Sequence, residues 1–117
     1  AIINLLEVKT QQVTTHRAAR HSIGGYIEDM HAVFQTTYLE PDPQATYYFS
    51  SDGFPDQFGG PHFKKYMTGN LKKLLASIHH QPLEQQRQRL EQEFLDWKGT
   101  NEQTDDVLVI GFRLHRV

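Results

Sequence analysis

The sequence contains no cysteine, which excludes disulfides, thiolate nucleophiles and cysteine-based zinc sites. It also lacks any apolar run that approaches the roughly 20 residues of a membrane-spanning helix. The formal net charge is −2, and the basic residues are scattered rather than clustered as in nucleic-acid binders. We therefore expect no membrane segment in this chain and no nucleic-acid partner. A reducing compartment such as the cytoplasm suits this composition.

The 117 residues are 38% hydrophobic and 22% charged, which fits one globular domain with a core of its own. The chain begins at Ala1, inside a segment that is itself typical of a strand, and without an initiator methionine. We therefore expect it to be a piece of a longer protein.

The first half of the chain carries several β-type segments. Residues 1–8 (AIINLLEV) and 12–18 predict two strands that pair as a hairpin. Paired glycines within 21–25 (HSIGG) predict a turn. Two further strands are predicted at 32–39 and at 45–50 (ATYYFS), where aromatic residues dominate.

The second half changes to a helical period. Apolar residues spaced i, i+3 and i+4 predict a helix from Pro61 to about His80, and a second helix runs from Pro82 to a stop at Gly99. Residues 107–114 are apolar almost without alternation, which predicts a strand covered on both faces and central in its sheet. The sequence therefore predicts an α+β fold: a mostly antiparallel sheet with a two-helix insertion before the final central strand.

Two acidic motifs are far apart in the chain but are predicted to meet in space. Asp52 follows one predicted strand, and Asp105 precedes another, 53 positions later. If these strands are antiparallel neighbours, both carboxylates lie at the same edge of the sheet. Gly53 would allow a sharp turn there. Ser-Asp-Gly is also a common turn sequence, so an ordinary turn and a metal site both remain open interpretations.

A metal site at this edge would have a definite chemistry. Convergent carboxylates repel each other unless a cation lies between them. Oxygen ligands favour hard ions, so Mg²⁺ or Mn²⁺ is expected rather than Zn²⁺ or Cu²⁺. Two such ions roughly 4 Å apart can hold a phosphoryl group and lower the pKa of a bridging water, which makes water the nucleophile.

The motifs themselves resemble a known family. "YYFSSDGFPDQFGG" at 47–60, a lysine-rich helix, and "WKGTNEQTDDVLVIGFRL" at 97–114 are similar to the C-terminal part of a PPM-type (type 2C) metal-dependent serine/threonine phosphatase. The match runs from about Ser22 to Leu114 and is best to the stage II sporulation protein E-like bacterial branch. The resemblance makes Asp52 and Asp105 metal ligands, Asp106 a supporting residue and Gly53 the motif glycine. Asp56 and Gln57 are expected to shape the loop beside them, and contact with the substrate is the alternative role for these two residues.

The resemblance also implies an architecture and a function. The sheet would be part of an αββα sandwich, and the complete domain would bind two Mn²⁺ or Mg²⁺ ions. The activity implied is hydrolysis of phosphoserine or phosphothreonine on a protein partner in bacterial signalling, often an anti-sigma-factor antagonist. The parent would work in the cytoplasm, alone or tethered to a membrane sensor.

One part of the family pattern is missing. The family's D-x-x-G-H-G-like stretch has no counterpart here, since Asp29 is followed by Met30. Residues 1–117 are therefore interpreted as the C-terminal portion of a single PPM-type domain, which supplies only some of the metal ligands. Loss of the partner strands would expose apolar sheet surface and favour self-association. The alternative is a non-catalytic regulatory or interaction module with the same fold.

Overall fold

The computed structural model describes residues 3–16 and 39–114, which form an antiparallel sheet with two helices. The four strands of this sheet lie in the order β2-β1-β3-β6, and β4 and β5 form a separate small hairpin. The elements in chain order are β1 (Ile3–Lys9), β2 (Gln12–His16), β3 (Thr46–Ser51), β4 (Phe58–Gly59), β5 (Lys64–Lys65), α1 (Thr68–Ile78), α2 (Leu83–Lys98) and β6 (Val109–Phe112). The predicted α+β class is confirmed.

The predicted strands of the first half are present wherever the structure describes them. β1 and β2 form the expected hairpin, with Val8 opposite Val13. β3 matches the predicted aromatic strand and pairs antiparallel with β1, which places Leu6 opposite Tyr48. The predicted turn at 21–25 and nearly all of the predicted strand at 32–39 lie outside the described residues.

The core lies between one face of the sheet and the two helices. Strand side chains alternate between the faces, so Leu6 and Val8 of β1 and Tyr48 of β3 all point toward the helices and are buried. In α1 the apolar residues at helical spacing point back at them. The core is formed by Leu6, Val8, Tyr48, Phe54, Tyr66, Leu71, Leu74, Leu75, Ile78, Leu90 and Phe94.

A buried glutamine fixes the connection between the helices. Gln86 of α2 accepts a hydrogen bond from the Tyr48 hydroxyl, and its amide donates to the carbonyls of His79 and Gln81, at 3.1 and 2.8 Å. The guanidinium of Arg113 donates to the same two carbonyls. The end of α1 and the residues before α2 are therefore tied to the sheet by side chains. Within the described part of the chain, neither helix is long and apolar enough to cross a membrane.

The predicted start of the first helix at Pro61 is wrong, because α1 begins only at Thr68. The residues before it form the β4–β5 hairpin, and three of them have positive φ: Gly60 at 71°, Phe63 at 49° and Met67 at 81°. Such angles are incompatible with a right-handed helix. The helical spacing of apolar residues continued through this segment by coincidence.

The last strand also differs from the prediction. β6 is shorter than 107–114, and it lies at one end of the sheet that the described residues form, next to β3. Ile110 is 49% exposed, so β6 is not covered on both faces by these residues. An apolar groove of about 490 Å³ lies beside it, lined by side chains of α2, β3 and β6 and edged by Glu84, Arg87 and Glu91. The continuous apolar sequence of β6 therefore corresponds to a strand face that the described residues leave uncovered.

Burial in the core leads to a quantitative prediction for the free energy of unfolding. Leu75 is 0% exposed, so Leu75→Ala leaves a cavity and should lower the free energy of unfolding by about 2–5 kcal/mol. Leu95→Ala is the matched control, since Leu95 lies on α2 and is 52% exposed; it should cost less than about 0.5 kcal/mol. Urea unfolding of both variants measures the difference. Equal losses would contradict the assignment of the core.

Alkaline pH should destabilise the fold through Tyr66. Burial raises the pKa of Tyr66 to about 12, and nearby Glu93 adds to the rise. Because the folded state holds the phenol proton more tightly, this stabilisation is complete below the ordinary pKa of 10.0 and is lost as the pH rises toward 12. Urea unfolding at about pH 9 and about pH 11 should show a smaller loss for Tyr66→Phe than for the unmutated protein. The same loss in both proteins would refute this role for Tyr66.

Candidate functional site

Asp52 is the first residue after β3 and opens the turn that leads away from the sheet. Its backbone carbonyl accepts the amide of Asp56 at 2.9 Å, which closes the turn. Its side chain is half-buried, and the amide of Asn4 donates to its carboxylate at 3.4 Å. Asn4 comes from β1, so the neighbouring strand helps to orient this carboxylate.

Ser51 fastens the Asp52 turn to the segment that carries the other acidic residues. Its backbone amide donates to the Leu108 carbonyl at 2.9 Å. Its hydroxyl accepts the Leu108 amide at 3.0 Å and donates to the Asp106 carbonyl at 3.2 Å. The antiparallel pairing of β3 with β6 is thus extended by one residue toward both acidic motifs. The predicted meeting of these segments at one sheet edge is what the structure shows.

Gly53 permits the close approach of the two segments. A Cβ atom at this position would lie 2.1 Å from the carbonyl oxygen of Asp106 and 3.2 Å from the Val107 side chain. No side chain fits into that space, so the glycine is required by contact with the opposite backbone. Gly53 is therefore needed because it has no side chain, and not because of an unusual φ angle.

Asp105 and Asp106 lie next to each other on the exposed side of this contact. The Asp105 carboxylate accepts the backbone amide of Asp106 at 2.7 Å, and its carbonyl accepts the side-chain amide of Gln103 at 2.9 Å. These local bonds hold the segment in a turn before β6. The structure therefore brings Ser51 and Gly53, the two neighbours of Asp52, against the backbone of Asp106, and Asp105 precedes that contact by one residue.

A set of contacts centred on the buried Gln57 side chain supports this edge, and residues of the sequence motifs DQFGG and WKG form it together with Glu102. The side-chain amide of Gln57 donates to the Glu102 carbonyl at 2.8 Å, which ties the loop after Asp52 to the segment before Asp105. Gln57 is 0% exposed. Its backbone carbonyl accepts the indole N–H of Trp97 at 2.8 Å.

Trp97 completes this set of contacts by packing on the two glycines that end the DQFGG motif. The amide of Gly60 donates to the Trp97 carbonyl at 3.0 Å. A Cβ at Gly59 would lie 1.8 Å from that carbonyl oxygen, and one at Gly60 would lie 2.6 Å from the indole ring. The C-terminal end of α2 is thereby seated in the loop that follows Asp52. We define Gln57, Gly59, Gly60, Trp97 and Glu102 as the interlock.

The donor set at this edge consists of oxygen atoms, which suits Mg²⁺ or Mn²⁺. Asp52 and the Asp105–Asp106 pair are the residues that could hold such an ion. Among residues 3–16 and 39–114, however, no three acidic, histidine or cysteine side chains gather closely enough to hold a metal ion. The described residues therefore offer part of a ligand set and not a complete one.

Two features of the site were not predicted from the sequence. Asn4 gave one signal, since it is a polar residue on the strand face that otherwise carries Leu6 and Val8. No periodic pattern in the sequence could indicate the interlock, because it joins Gln57 to residues some forty positions away through backbone carbonyls.

The comparisons with known proteins bear on the fold of the chain. No protein-family model matches the sequence, and no curated protein matches it. Among solved structures, the SiaA-PP2C domain of Pseudomonas aeruginosa is similar, with a TM-score of 0.82 and 26% sequence identity. The match covers 97% of this chain and 43% of that one, so the chain spans less than half of its neighbour's length. The chain therefore has the fold of a PPM-type phosphatase domain over that part.

The contact at Gly53 can be tested by stability. Gly53→Ala should lower the free energy of unfolding by about 1–3 kcal/mol, because the new methyl group meets the Asp106 carbonyl and forces the two segments apart. Gly69→Ala is the control, since a Cβ there meets nothing within 4 Å and Gly69 lies in α1. It should raise stability by about 0.5–1 kcal/mol. Thermal or urea unfolding that ranks the two variants the other way would exclude the contact.

Proposed function

We propose that this chain is the C-terminal part of a metal-dependent phosphoprotein phosphatase domain, of the stage II sporulation protein E-like branch. One observation carries the proposal: in a chain with a PPM-type fold, hydrogen bonds from Ser51 fasten the Asp52 turn to the Asp105–Asp106 segment. Ser51 thus holds two acidic motifs, which are 53 positions apart in the sequence, at one edge of the sheet. A simple turn at either motif would not need the other.

In this proposal each residue of the edge has its own task. Asp52 and Asp105 hold two Mn²⁺ or Mg²⁺ ions, and Asp106 supports them from the adjacent position. When bound, such ions make hydroxide available near neutral pH and stabilise charge on a phosphoryl group. Asn4 orients the Asp52 carboxylate through its hydrogen bond, and Gly53 keeps the two segments at contact distance.

The remaining ligands belong to the part of the domain that this chain does not contain. The chain covers 43% of the neighbour's length, which leaves more than half of such a domain outside the match. The proposed substrate is a protein that carries phosphoserine or phosphothreonine, such as an anti-sigma-factor antagonist, and the proposed setting is the cytoplasm. Self-association through the open apolar sheet surface is proposed for the chain when it is separated from the rest of the domain.

Asp52→Asn in the complete protein should abolish Mn²⁺-dependent hydrolysis of a phosphoserine peptide, by at least about a hundredfold, while the protein remains folded. The substitution keeps the shape of the side chain and removes the charge that binds the ion. Asp105→Asn should behave in the same way. Asp96→Asn is the control, because Asp96 lies exposed on α2 and should leave the rate unchanged.

Calorimetric titration with Mn²⁺ then separates the two candidate functions. A phosphatase requires tight binding that Asp52→Asn weakens and Asp96→Asn does not. Near-normal turnover by Asp52→Asn would refute the proposal. Absence of both Mn²⁺ binding and turnover in the unmutated complete protein would instead favour the non-catalytic module.

A further inference from the structure

One stretch of this chain, among otherwise mixed charges, carries lysines and no carboxylates. Residues 57–83 contain four lysines and no aspartate or glutamate, whereas residues 84–106 contain seven carboxylate residues together with Arg87, Arg89 and Lys98. The lysine-rich stretch starts directly after the Asp52 turn and includes the β4–β5 hairpin. Lys64 and Lys65 of this hairpin are exposed, so positively charged side chains follow closely after the proposed phosphatase edge.

The hairpin is held firmly to that edge. The amide of Tyr66 donates to the Gln57 carbonyl at 3.0 Å, and the amide of Met67 donates to the Pro55 carbonyl at 2.8 Å. At its other end, Gly60 bonds to Trp97 as part of the interlock. The hairpin is thus a fixed projection of the Asp52 turn.

Apolar side chains on this projection face outward. Phe63 is 61% exposed and Met67 is 58% exposed, although both are large and apolar. Each has a positive φ, at 49° and 81°, which is costly for a residue with a side chain. The Phe63 ring stacks on Phe58 with 5.2 Å between the ring centroids, which fixes its position. Neither the exposure nor the backbone conformation contributes to stability, and such combinations are found at binding surfaces.

The lysines of β5 lie on the same projection. Lys65 lies 6.0 Å from the centroid of the Phe58 ring and 3.6 Å from the Asp56 carboxylate. Lys64 is exposed, and no ion pair involving it occurs among the described residues. The charged nitrogen of Lys65 thereby lies near the half-buried Phe58 ring, on which the exposed Phe63 ring stacks.

We propose that the surface formed by Phe63, Lys64, Lys65 and Met67 binds the phosphorylated protein substrate, through an acidic segment that flanks the phosphoserine or phosphothreonine. This proposal rests on the proposed function and adds the kind of substrate. Charge complementarity carries it: the ammonium groups of Lys64 and Lys65 match carboxylates that flank the phosphorylated residue, while the phosphate itself would lie at the acidic edge. The exposed ring and thioether supply contact area for an apolar residue of the same segment.

Steady-state kinetics of the complete protein on two substrates test this docking surface. The first is a phosphoserine peptide with glutamate on both sides of the phosphoserine, and the second is p-nitrophenyl phosphate, which is too small to reach the hairpin. Lys64→Gln combined with Lys65→Gln should lower kcat/KM for the peptide by about five- to tenfold at low ionic strength, and salt should reduce the difference. The rate with p-nitrophenyl phosphate should stay within about twofold of normal.

Two further variants sharpen the test. Phe63→Gly removes the ring and relieves the positive φ, and an unchanged rate with p-nitrophenyl phosphate would show that a loss of peptide turnover does not come from misfolding. Lys9→Gln is the matched control, because Lys9 is an exposed lysine at the far end of β1 from Asp52. It should leave both substrates unaffected.

The outcomes separate this proposal from the proposed function. Unchanged peptide kinetics in the double lysine variant would overturn the docking surface. So would an equal loss of kcat/KM for both substrates. A phosphoserine peptide with lysine on both sides serves as a further control, and an equal loss with that peptide would also overturn the proposal. If the unmutated protein hydrolyses neither substrate, fluorescence anisotropy of the labelled glutamate-flanked peptide still tests the docking surface, because it measures peptide binding directly. Weaker binding by the double lysine variant than by Lys9→Gln would support docking while the phosphatase proposal fails, and equal binding would overturn docking as well.

Discussion

The buried interlock is the constraint on which the rest of this structure depends. Gln57 joins the loop after Asp52 to the chain before Asp105, and Trp97 joins the same loop to the end of α2. The sheet edge, the helix pair and the hairpin therefore meet at one point. Because the Gln57 side chain is fully buried, loss of its bond to Glu102 would leave a buried amide unsatisfied, which costs more than the bond itself contributes. The segments of the acidic edge are held together by uncharged groups, namely the Gln57 amide, the Trp97 indole and backbone carbonyls.

Much of the fold followed from periodicity alone. The alternation in β1 and the aromatic character of β3 specify a sheet with one buried face, and α2 has clear boundaries because Pro82 and Gly99 flank it. The meeting of Asp52 with the Asp105 segment also followed from sequence, because antiparallel neighbours place the end of one strand beside the start of the other. Local patterns therefore specify most of the strands and helices, and the sheet edge that two neighbouring strands share.

Other features depend on contacts that no local pattern contains. The β4–β5 hairpin replaced the first turns of a predicted helix because Gly60 packs on the Trp97 ring and Met67 bonds to Pro55, both of which are tertiary interactions. The position of β6 at an end of the described sheet could not follow from its apolar sequence, since that sequence records burial without naming what covers it. The need for glycine at position 53 comes from the Asp106 carbonyl on the opposite segment, which a turn sequence does not contain.

The pairing of β3 with β6 has a consequence for the order in which the molecule assembles. The two strands join residues more than fifty positions apart, so their contact closes a large loop at a considerable entropic cost. The β1–β2 hairpin and both helices are local and can form sooner. The acidic edge should therefore appear late in folding, after the helix pair has already shortened the distance between its two halves. A chain caught before that step would carry most of its secondary structure and no site.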